Sequence, residues 1–137
     1  MNQSINTTLR VFIPFALGYF LSYLYRVVNV VMAPDLVNDL GIGPSALGLL
    51  TSTYFISFAS VQLPLGVLLD RFGPRKVEAF LLIFAGLGAF IFARSGTLTG
   101  LVIGRAFIGL GVAACLMAAF KAYVLWFPKQ RWPLANG

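Results

Sequence analysis

Four long apolar stretches, separated by short segments rich in charge, glycine or proline, constrain this chain more than any other feature. They run over about residues 11–33, 45–69, 77–93 and 98–127. A helix needs about 20 mostly apolar residues to cross the hydrocarbon core of a bilayer, and each stretch is close to that length or longer. The sequence therefore predicts an all-α membrane protein with four transmembrane helices embedded in a lipid bilayer.

Charge is too scarce for a soluble protein, since 10% of the residues are charged and 59% are hydrophobic. Soluble domains carry about 25% charged residues. The net charge is +6, but the cations lie in clusters between apolar stretches, which is typical of membrane orientation rather than nucleic-acid binding. The absence of His and the single Cys115 exclude a His-based metal site and an internal disulfide. No catalytic motif or metal-ligand spacing is present, so we expect neither an enzyme nor a cofactor.

The distribution of basic residues predicts the orientation, because Lys and Arg concentrate in cytoplasmic loops. Four alternating spans put Arg94 alone on one side and the other loop and terminal cations on the opposite side. We therefore expect a multi-pass protein of the inner (cytoplasmic) cell membrane with a cytoplasmic N-terminus. The cations on that cytoplasmic side are Arg10, Arg71, Arg75, Lys76, Lys129 and Arg131.

The last six residues, Trp132 to Gly137, are mostly small or apolar and follow a basic segment. This pattern is typical of the start of another helix, here a fifth at about residue 132. We therefore expect residues 1–137 to be the N-terminal part of a larger helix bundle, either as a fragment or as a truncated gene product.

The first apolar stretch carries a polar stripe with an arginine in its middle. Tyr19, Ser22, Tyr23, Arg26 and Asn29 are three or four residues apart, which places them near one face of a helix. A charge within the membrane costs roughly 3 kcal/mol on insertion scales, so Arg26 indicates a wet cavity or a partner. A guanidinium suits carboxylates and phosphates because it donates two parallel hydrogen bonds. Arg26 thus indicates either an anionic-substrate site or a structural ion pair.

Arg105 is a second embedded cation, and glycines surround it. Gly100 and Gly104 have the spacing that lets helix backbones approach closely. The pattern indicates a helix packed tightly in a bundle, with the charge turned inward to a polar partner. The role of Arg105 is either proton or conformational coupling, or a structural hydrogen bond to a neighbouring helix. Lys121 is expected to extend to the membrane interface and is assigned no role.

The remaining polar residues give weaker indications. Gln62 on the second helix either lines a cavity or bonds across helices. None of the carboxylates lies at mid-membrane, so a proton-coupling carboxylate is expected outside these helices. The carboxylates are Asp35, Asp39, Asp70 and Glu78.

The segment between the second and third helices is the densest in charge. Asp70 lies at the C-terminal end of a helix, where the dipole disfavours a carboxylate. Such a residue usually has a partner, and the neighbouring Arg71 and Arg75 or the N-terminus of another helix are candidates. The alternative is that the segment is only a turn that fixes orientation.

Two motifs together carry a resemblance to a known family. They resemble the two signatures of the major facilitator superfamily, at the helices where that family has them. The resemblance implies twelve spanning helices in two six-helix halves, of which these four helices are an incomplete part. The motifs are Gly66-x-Leu68-x-Asp70-Arg71-Phe72-Gly73-x-Arg75-Lys76 and Leu101-x3-Arg105-x3-Gly109-x-Gly111.

Within the superfamily, Ser22-Tyr23-Leu24-Tyr25-Arg26 and Leu63-Pro64-x-Gly66 are similar to the branch of anion:cation symporters and organophosphate antiporters. This implies secondary transport of a small organic or inorganic anion by alternating access, coupled to a proton or another cation. Together with the polar stripe, the resemblance implies three groups of site residues. These are Arg26, Tyr23, Tyr19 and Asn29 for substrate binding; Gly66, Asp70, Arg71, Gly73, Arg75 and Lys76 for a cytoplasmic gate; and Arg105, Gly109 and Gly111 for coupling or packing.

Two other functions are compatible with these residues. A drug or sugar porter of the same superfamily would use Arg26 for structure. A small four-helix membrane protein would work as an oligomer, without transport activity. On the leading interpretation the C-terminal half of the transporter is missing from these 137 residues, so the chain alone is expected to be inactive and to fold poorly.

Overall fold

The computed structural model describes residue 6, residues 8–127 and residues 129–131. A π-helical turn, Thr8–Phe12, precedes five α-helices, and a 3-10 turn, Lys129–Arg131, follows them. Every regular element in this described part is helical, which confirms the predicted all-α class. The expected fifth spanning helix at residue 132 lies outside the described residues. The α-helices are α1 (Ile13–Leu40), α2 (Pro44–Phe72), α3 (Pro74–Arg94), α4 (Leu98–Val112) and α5 (Cys115–Trp126).

Four helical stretches are long and apolar enough to cross a membrane: Leu9–Leu40, Pro44–Phe72, Pro74–Arg94 and Leu98–Trp126. The fourth comprises α4 and α5. Only 22% of the most apolar window of each of the first two stretches is buried, so much of their apolar surface faces outward. Helices that satisfy their own backbone hydrogen bonds and expose apolar side chains meet the requirements of a bilayer. The chain is a multi-pass membrane protein.

Helix α1 is longer than predicted, because it continues through Pro34 to Leu40. A proline inside a helix removes one backbone hydrogen bond, a loss that membrane helices tolerate. The helix ends at Gly41, which adopts φ +61° and donates its N–H to the Val37 carbonyl at 3.0 Å. The helix thus extends seven residues beyond the approximate predicted end at residue 33, and the connection to α2 shortens to residues 41–43.

A single residue, Gly73, separates α2 from α3, so each helix extends three residues beyond the approximate predicted bounds at residues 69 and 77. Gly73 adopts φ +80°, a left-handed value that favours glycine. Its N–H closes α2 on the Leu69 carbonyl at 3.1 Å. Pro74 then opens α3, where its missing N–H costs nothing. The Gly-Pro pair completes the turn without a longer loop.

The fourth predicted helix, 98–127, is interrupted at Ala113 and Ala114. The Ala113 N–H bonds to the Leu110 carbonyl, three residues earlier, at 3.4 Å. The Ala113 carbonyl accepts a hydrogen bond from Gln62 Nε2 on α2 at 3.0 Å. A side chain from another helix thus satisfies a backbone group at the break. Of the two interpretations of Gln62, the cross-helix bond is the one observed.

Helices α3 and α4 pack through glycines that meet the facing backbone. A Cβ at Gly88 of α3 would lie 2.6 Å from the Ile108 amide nitrogen. A Cβ at Gly104 of α4 would lie 2.8 Å from the Phe92 amide nitrogen. Close backbone approach through small residues is a main source of helix association in membranes. This contact holds the fourth span, which carries Arg105, against the third.

Replacing Gly88 with Ala is expected to lower the free energy of unfolding by about 1–3 kcal/mol, the usual cost of overpacking. The added methyl group meets backbone atoms, which cannot rotate aside. Chemical unfolding in detergent micelles, followed by circular dichroism, measures the change. The matched control is Gly86→Ala on the same helix, where nothing lies within 4 Å of the added Cβ. Equal effects of the two substitutions would contradict the proposed packing.

Candidate functional site

Arg105 on α4 is buried, with 1% of its surface exposed. Its Nη1 donates a hydrogen bond to the Tyr25 carbonyl on α1 at 2.9 Å. The guanidinium carbon lies 5.1 Å from the centre of the Phe92 ring on α3 and 6.0 Å from that of the Tyr54 ring on α2. Cation–π attraction strengthens when the pair is desolvated. One side chain on the fourth span therefore contacts the other three.

The hydrogen bond of Arg105 to α1 is the structural interaction considered in the sequence analysis. Two further nitrogens, Nε and Nη2, have no hydrogen-bond partner among the described residues. A buried donor without an acceptor is destabilising, more so when it is charged. The guanidinium thus retains donors for a polar partner, which the coupling interpretation of Arg105 requires.

Arg26 and Arg105 are connected through two aromatic rings of α2. The Arg26 guanidinium carbon lies 5.8 Å from the centre of the Phe58 ring. That ring stacks on Tyr54, with centroids 6.3 Å apart and planes inclined by 21°, and Tyr54 faces Arg105. The carbonyl that Arg105 binds belongs to Tyr25, the residue immediately before Arg26. The two embedded arginines therefore share one set of contacts.

The predicted substrate-binding residues lie on two neighbouring faces of α1. Arg26 is exposed, and Tyr19 and Tyr23 expose 47% and 56% of their surface. Asn29 is buried instead, and its Nδ2 donates to Thr51 Oγ1 on α2 at 2.9 Å. The structure therefore groups Arg26 with the two tyrosines on an open surface, whereas Asn29 lies in the contact between α1 and α2.

The predicted gate residues lie together at the end of the bundle where α2 turns into α3. The Arg71 guanidinium carbon lies 5.6 Å from the centre of the Phe72 ring. Arg75 lines a cleft beside Arg10, and Lys76 lines a mostly apolar groove of about 440 Å³ between α2 and α3. These cations form an exposed basic surface at one end of the described bundle.

Gly66, one turn before Asp70 on α2, faces open space. No atom lies within 4 Å of a Cβ built at this position. The absence of a side chain leaves room for close approach of another helix.

The partner of Asp70 is Lys121 on α5, whose Nζ donates to Asp70 Oδ1. This corrects two expectations: neither Arg71 nor Arg75 is the observed partner, and Lys121 does have a contact within the bundle. The pair lies at the surface, since 77% of the Asp70 side chain is exposed. Sequence proximity favoured the neighbouring arginines, but the parallel course of α2 and the fourth span brings Lys121 to the end of α2.

Helix α2 and the fourth span keep one register along their contact. Three side-chain contacts between them each join residues 51 positions apart, and they follow one another at successive positions along the two helices. A constant separation means that the two spans run parallel over this length. The pairs are Tyr54 with Arg105, Gln62 with Ala113, and Asp70 with Lys121.

Gly109 and Gly111, the remaining residues of the second motif, lie in helix contacts. A side chain at Gly109 would meet the Tyr54 carbonyl on α2, and one at Gly111 would meet the backbone of Ala85 on α3. The two glycines, which both follow Arg105, thus let the fourth span approach α2 and α3 closely.

Glu78 on α3 is buried, with 6% of its surface exposed, which the sequence analysis did not predict. Its Oε1 has no hydrogen-bond partner in the described part of the chain. The only signal in the sequence was a lone glutamate at the start of an apolar stretch, directly after the basic turn. Its burial follows from the packing of α3 against α1 and α5.

A family model described as Major Facilitator Superfamily matches residues 15–137. The "Probable sulfoacetate transporter SauU" of Cupriavidus necator is 31% identical over 137 residues, which are 100% of this chain and 32% of that protein. The "Nitrate/nitrite transporter NrtP" of a Picosynechococcus species is 28% identical over 88% of this chain and 22% of its own length. The "Hexuronate transporter" of Escherichia coli K12 is 28% identical over 88% of this chain and 28% of its own length. No solved structure matches the chain.

The chain spans about a third or less of the length of these curated relatives. The family match covers most of the first span, the other three spans and both motifs on which the sequence resemblance rests.

Replacing Arg105 with Lys is expected to lower the free energy of unfolding by about 1.5–3 kcal/mol, the range for a hydrogen bond to a charged group. Lysine keeps the charge but loses the planar group that lies over two rings and binds the Tyr25 carbonyl. Hydrogen exchange along α1, together with chemical unfolding, measures the change. The control is Arg94→Lys, an exposed arginine 5.2 Å from the Phe90 ring. Similar losses in both variants would contradict a special role for Arg105.

Reversing the charge of either Asp70 or Lys121 is expected to destabilise the bundle by about 0.2–1 kcal/mol, as for other exposed ion pairs. The double variant Asp70→Lys with Lys121→Asp restores opposite charges and is expected to recover most of the loss. Unfolding midpoints of the four proteins give the coupling energy. Strictly additive effects would show that the two side chains do not interact in the membrane.

Proposed function

The chain belongs to the major facilitator superfamily, and we propose that its four spans form part of a secondary transporter for a small anionic solute. The observation that carries this proposal is the exposed Arg26 near the middle of a mostly apolar span. No carboxylate of the described residues forms an ion pair with it. An embedded cation needs water or a counter-ion, and a solute carboxylate, sulfonate or phosphate supplies one.

The names of the relatives support an anionic solute. Sulfoacetate, nitrate and hexuronate, which appear in the names of three relatives, all carry negative charge at neutral pH. A guanidinium binds such oxyanions through two parallel hydrogen bonds. Tyr19 and Tyr23, exposed on the same side of α1 as Arg26, supply hydroxyl donors next to it. Asn29 is the weakest member of the proposed substrate group, because its amide nitrogen is already bound to Thr51.

The proposed mechanism is alternating access, in which two helical units rock about a site near mid-membrane. Arg26 binds the anion. Because Arg105 holds the carbonyl before Arg26, it couples movement of α1 to the fourth span. The basic turn with Gly66, Asp70, Gly73 and their neighbours acts as the cytoplasmic gate, and the ion pair of Asp70 with Lys121 belongs to it.

The proposal includes an orientation and a coupling ion. The N-terminus and the turn between α2 and α3 lie in the cytoplasm, as the basic residues indicate, and the membrane is the inner cell membrane. Anion entry is coupled to a proton or another cation, which offsets the charge of the solute. The activity is proposed for the protein that contains these four helices, with whatever further helices complete the cavity around Arg26.

The test is anion uptake by the full-length protein in proteoliposomes, with sulfoacetate, nitrate, a hexuronate and a neutral sugar as substrates. Replacing Arg26 with Ala is expected to lower anion uptake at least about 10-fold, since a hydrogen bond to a charged group is worth about 1.5–3 kcal/mol. Arg94→Ala, which removes an equal charge from the C-terminal end of α3, serves as the control. Full anion uptake by the Arg26 variant would overturn the substrate assignment.

A drug porter of the same superfamily is the second candidate. The observation that favours it is a relative named "Methylenomycin A resistance protein" from Bacillus subtilis, which is 35% identical over 79% of this chain and 23% of its own length. In that case Arg26 serves structure, and the exposed tyrosines of α1 contact an uncharged solute. Transport of an uncharged drug-like solute without transport of the anions distinguishes this function from the first.

A further inference from the structure

Glu78, a buried glutamate on α3, has no role in the proposed binding of an anion. Glu78 lies in the second turn of α3, with 6% of its surface exposed and with Oε1 unpaired among the described residues. An ionised carboxylate without a partner in an apolar environment is so costly that such a group takes up a proton instead. A buried carboxyl group without a partner either only destabilises the fold or serves as a site that binds a proton.

The helix facing Glu78 is shaped to accept the carboxyl group. A Cβ at Gly18 of α1 would collide with Glu78 Oε1, and it would lie 3.9 Å from Cys115 Sγ of α5. Glycine in the interior of a helix is unfavourable compared with alanine. At position 18 its missing Cβ leaves the space that the Glu78 carboxyl group occupies. The carboxyl group therefore occupies a recess formed by α1 and α5.

The other side of Glu78 opens into a cleft. The cleft has a volume of about 170 Å³ and is lined by Glu78 together with Arg10, Arg75, Pro14 and Phe15. One water molecule takes up about 30 Å³ in the liquid, so the cleft holds several. The cleft is lined by Arg75 of the basic turn, so water in it would connect Glu78 to that end of the bundle.

Each element packed around Glu78 contributes identifiable groups. The N-terminal π-helical turn brings the cation of Arg10, and α3 itself brings Arg75. Helix α5 brings Cys115, whose Sγ borders the same recess beside Gly18, and the Tyr123 hydroxyl, which interacts electrostatically with Glu78. Helix α1 brings Gly18, which has no titratable group. The two arginines favour the ionised form, whereas the recess favours the neutral form.

We propose that Glu78 is a proton-binding site with access from the cytoplasmic end of the bundle, which places such a carboxyl group within these helices, where the sequence analysis expected none. In the neutral state the carboxylic acid lies in the recess against Gly18 and Cys115. When it loses its proton to water in the cleft, the carboxylate turns towards Arg10 and Arg75. The reaction is a simple proton exchange between the carboxylate and water, with no other bond made or broken. Use of this proton as the coupling ion rests on the proposed transport function.

The test uses infrared spectroscopy of the full-length protein in lipid bilayers over a pH titration. Glu78→Gln is expected to remove a protonated-carboxyl band that disappears as the pH is raised, whereas Asp70→Asn, which alters a surface carboxylate, leaves that band in place. Gly18→Ala, which fills the recess, is expected to reduce the same band, and Gly86→Ala is its control. A titrating band that is unchanged in the Glu78 variant would overturn the proposal.

Transport measurements test the coupling separately. In Glu78→Gln, anion uptake is expected to lose its stimulation by an imposed proton gradient, while exchange of internal for external anion continues. Retained stimulation would overturn the coupling role. A protein that transports no anion but shows the Glu78 band supports the proton site and contradicts only the proposed function. Arg26-dependent transport without the Glu78 band contradicts only the proton site.

Discussion

A guanidinium group carries five N–H donors and stays charged in proteins, so burying Arg105 commits the surrounding helices to supply acceptors and ring faces. The described residues meet part of this demand with a carbonyl of α1 and rings from α2 and α3, while Nε and Nη2 keep no hydrogen-bond partner among them. These contacts draw on every span that the structure describes. The position of each helix relative to α4 is therefore linked to one buried cation, and the glycines at positions 104 and 109 let the backbones come close enough for it.

The parallel contact between α2 and the fourth span extends this constraint along the bundle. The same separation of 51 residues recurs from Arg105 through Gln62 to Lys121. The type of contact changes along the two spans. It is a cation facing a ring at Arg105, a hydrogen bond to the backbone where α4 and α5 are interrupted, and a surface ion pair at Lys121. Displacing one span along the other would break all of these at once, which makes the pair suited to move as a rigid body.

The two embedded arginines lie in one small network of contacts but differ in burial and in hydrogen bonding. Arg105 is enclosed and holds the backbone beside Arg26, whereas Arg26 is exposed on α1. The rings of Tyr54 and Phe58 lie between them. Arg105 donates a hydrogen bond within the bundle and serves its structure, whereas Arg26 contacts only the Phe58 ring among the described residues and keeps its N–H donors available to a solute. This difference in partners, rather than the residue type, distinguishes their proposed roles.

The sequence by itself determined the all-α class, the number of spans and the family, because these depend on the length of apolar stretches and on short motifs. It also indicated that Arg105 turns inward. Only the tertiary structure decided that Asp70 pairs with Lys121, that Gln62 binds the break at Ala113, and that Glu78 lies buried beside Gly18. Helical periodicity tells which residues share a face of one helix, but contacts between residues about 50 or more positions apart depend on how the helices pack. For the same reason the sequence did not indicate how far each helix continues, since Pro34 lies inside α1 whereas Pro74 begins α3.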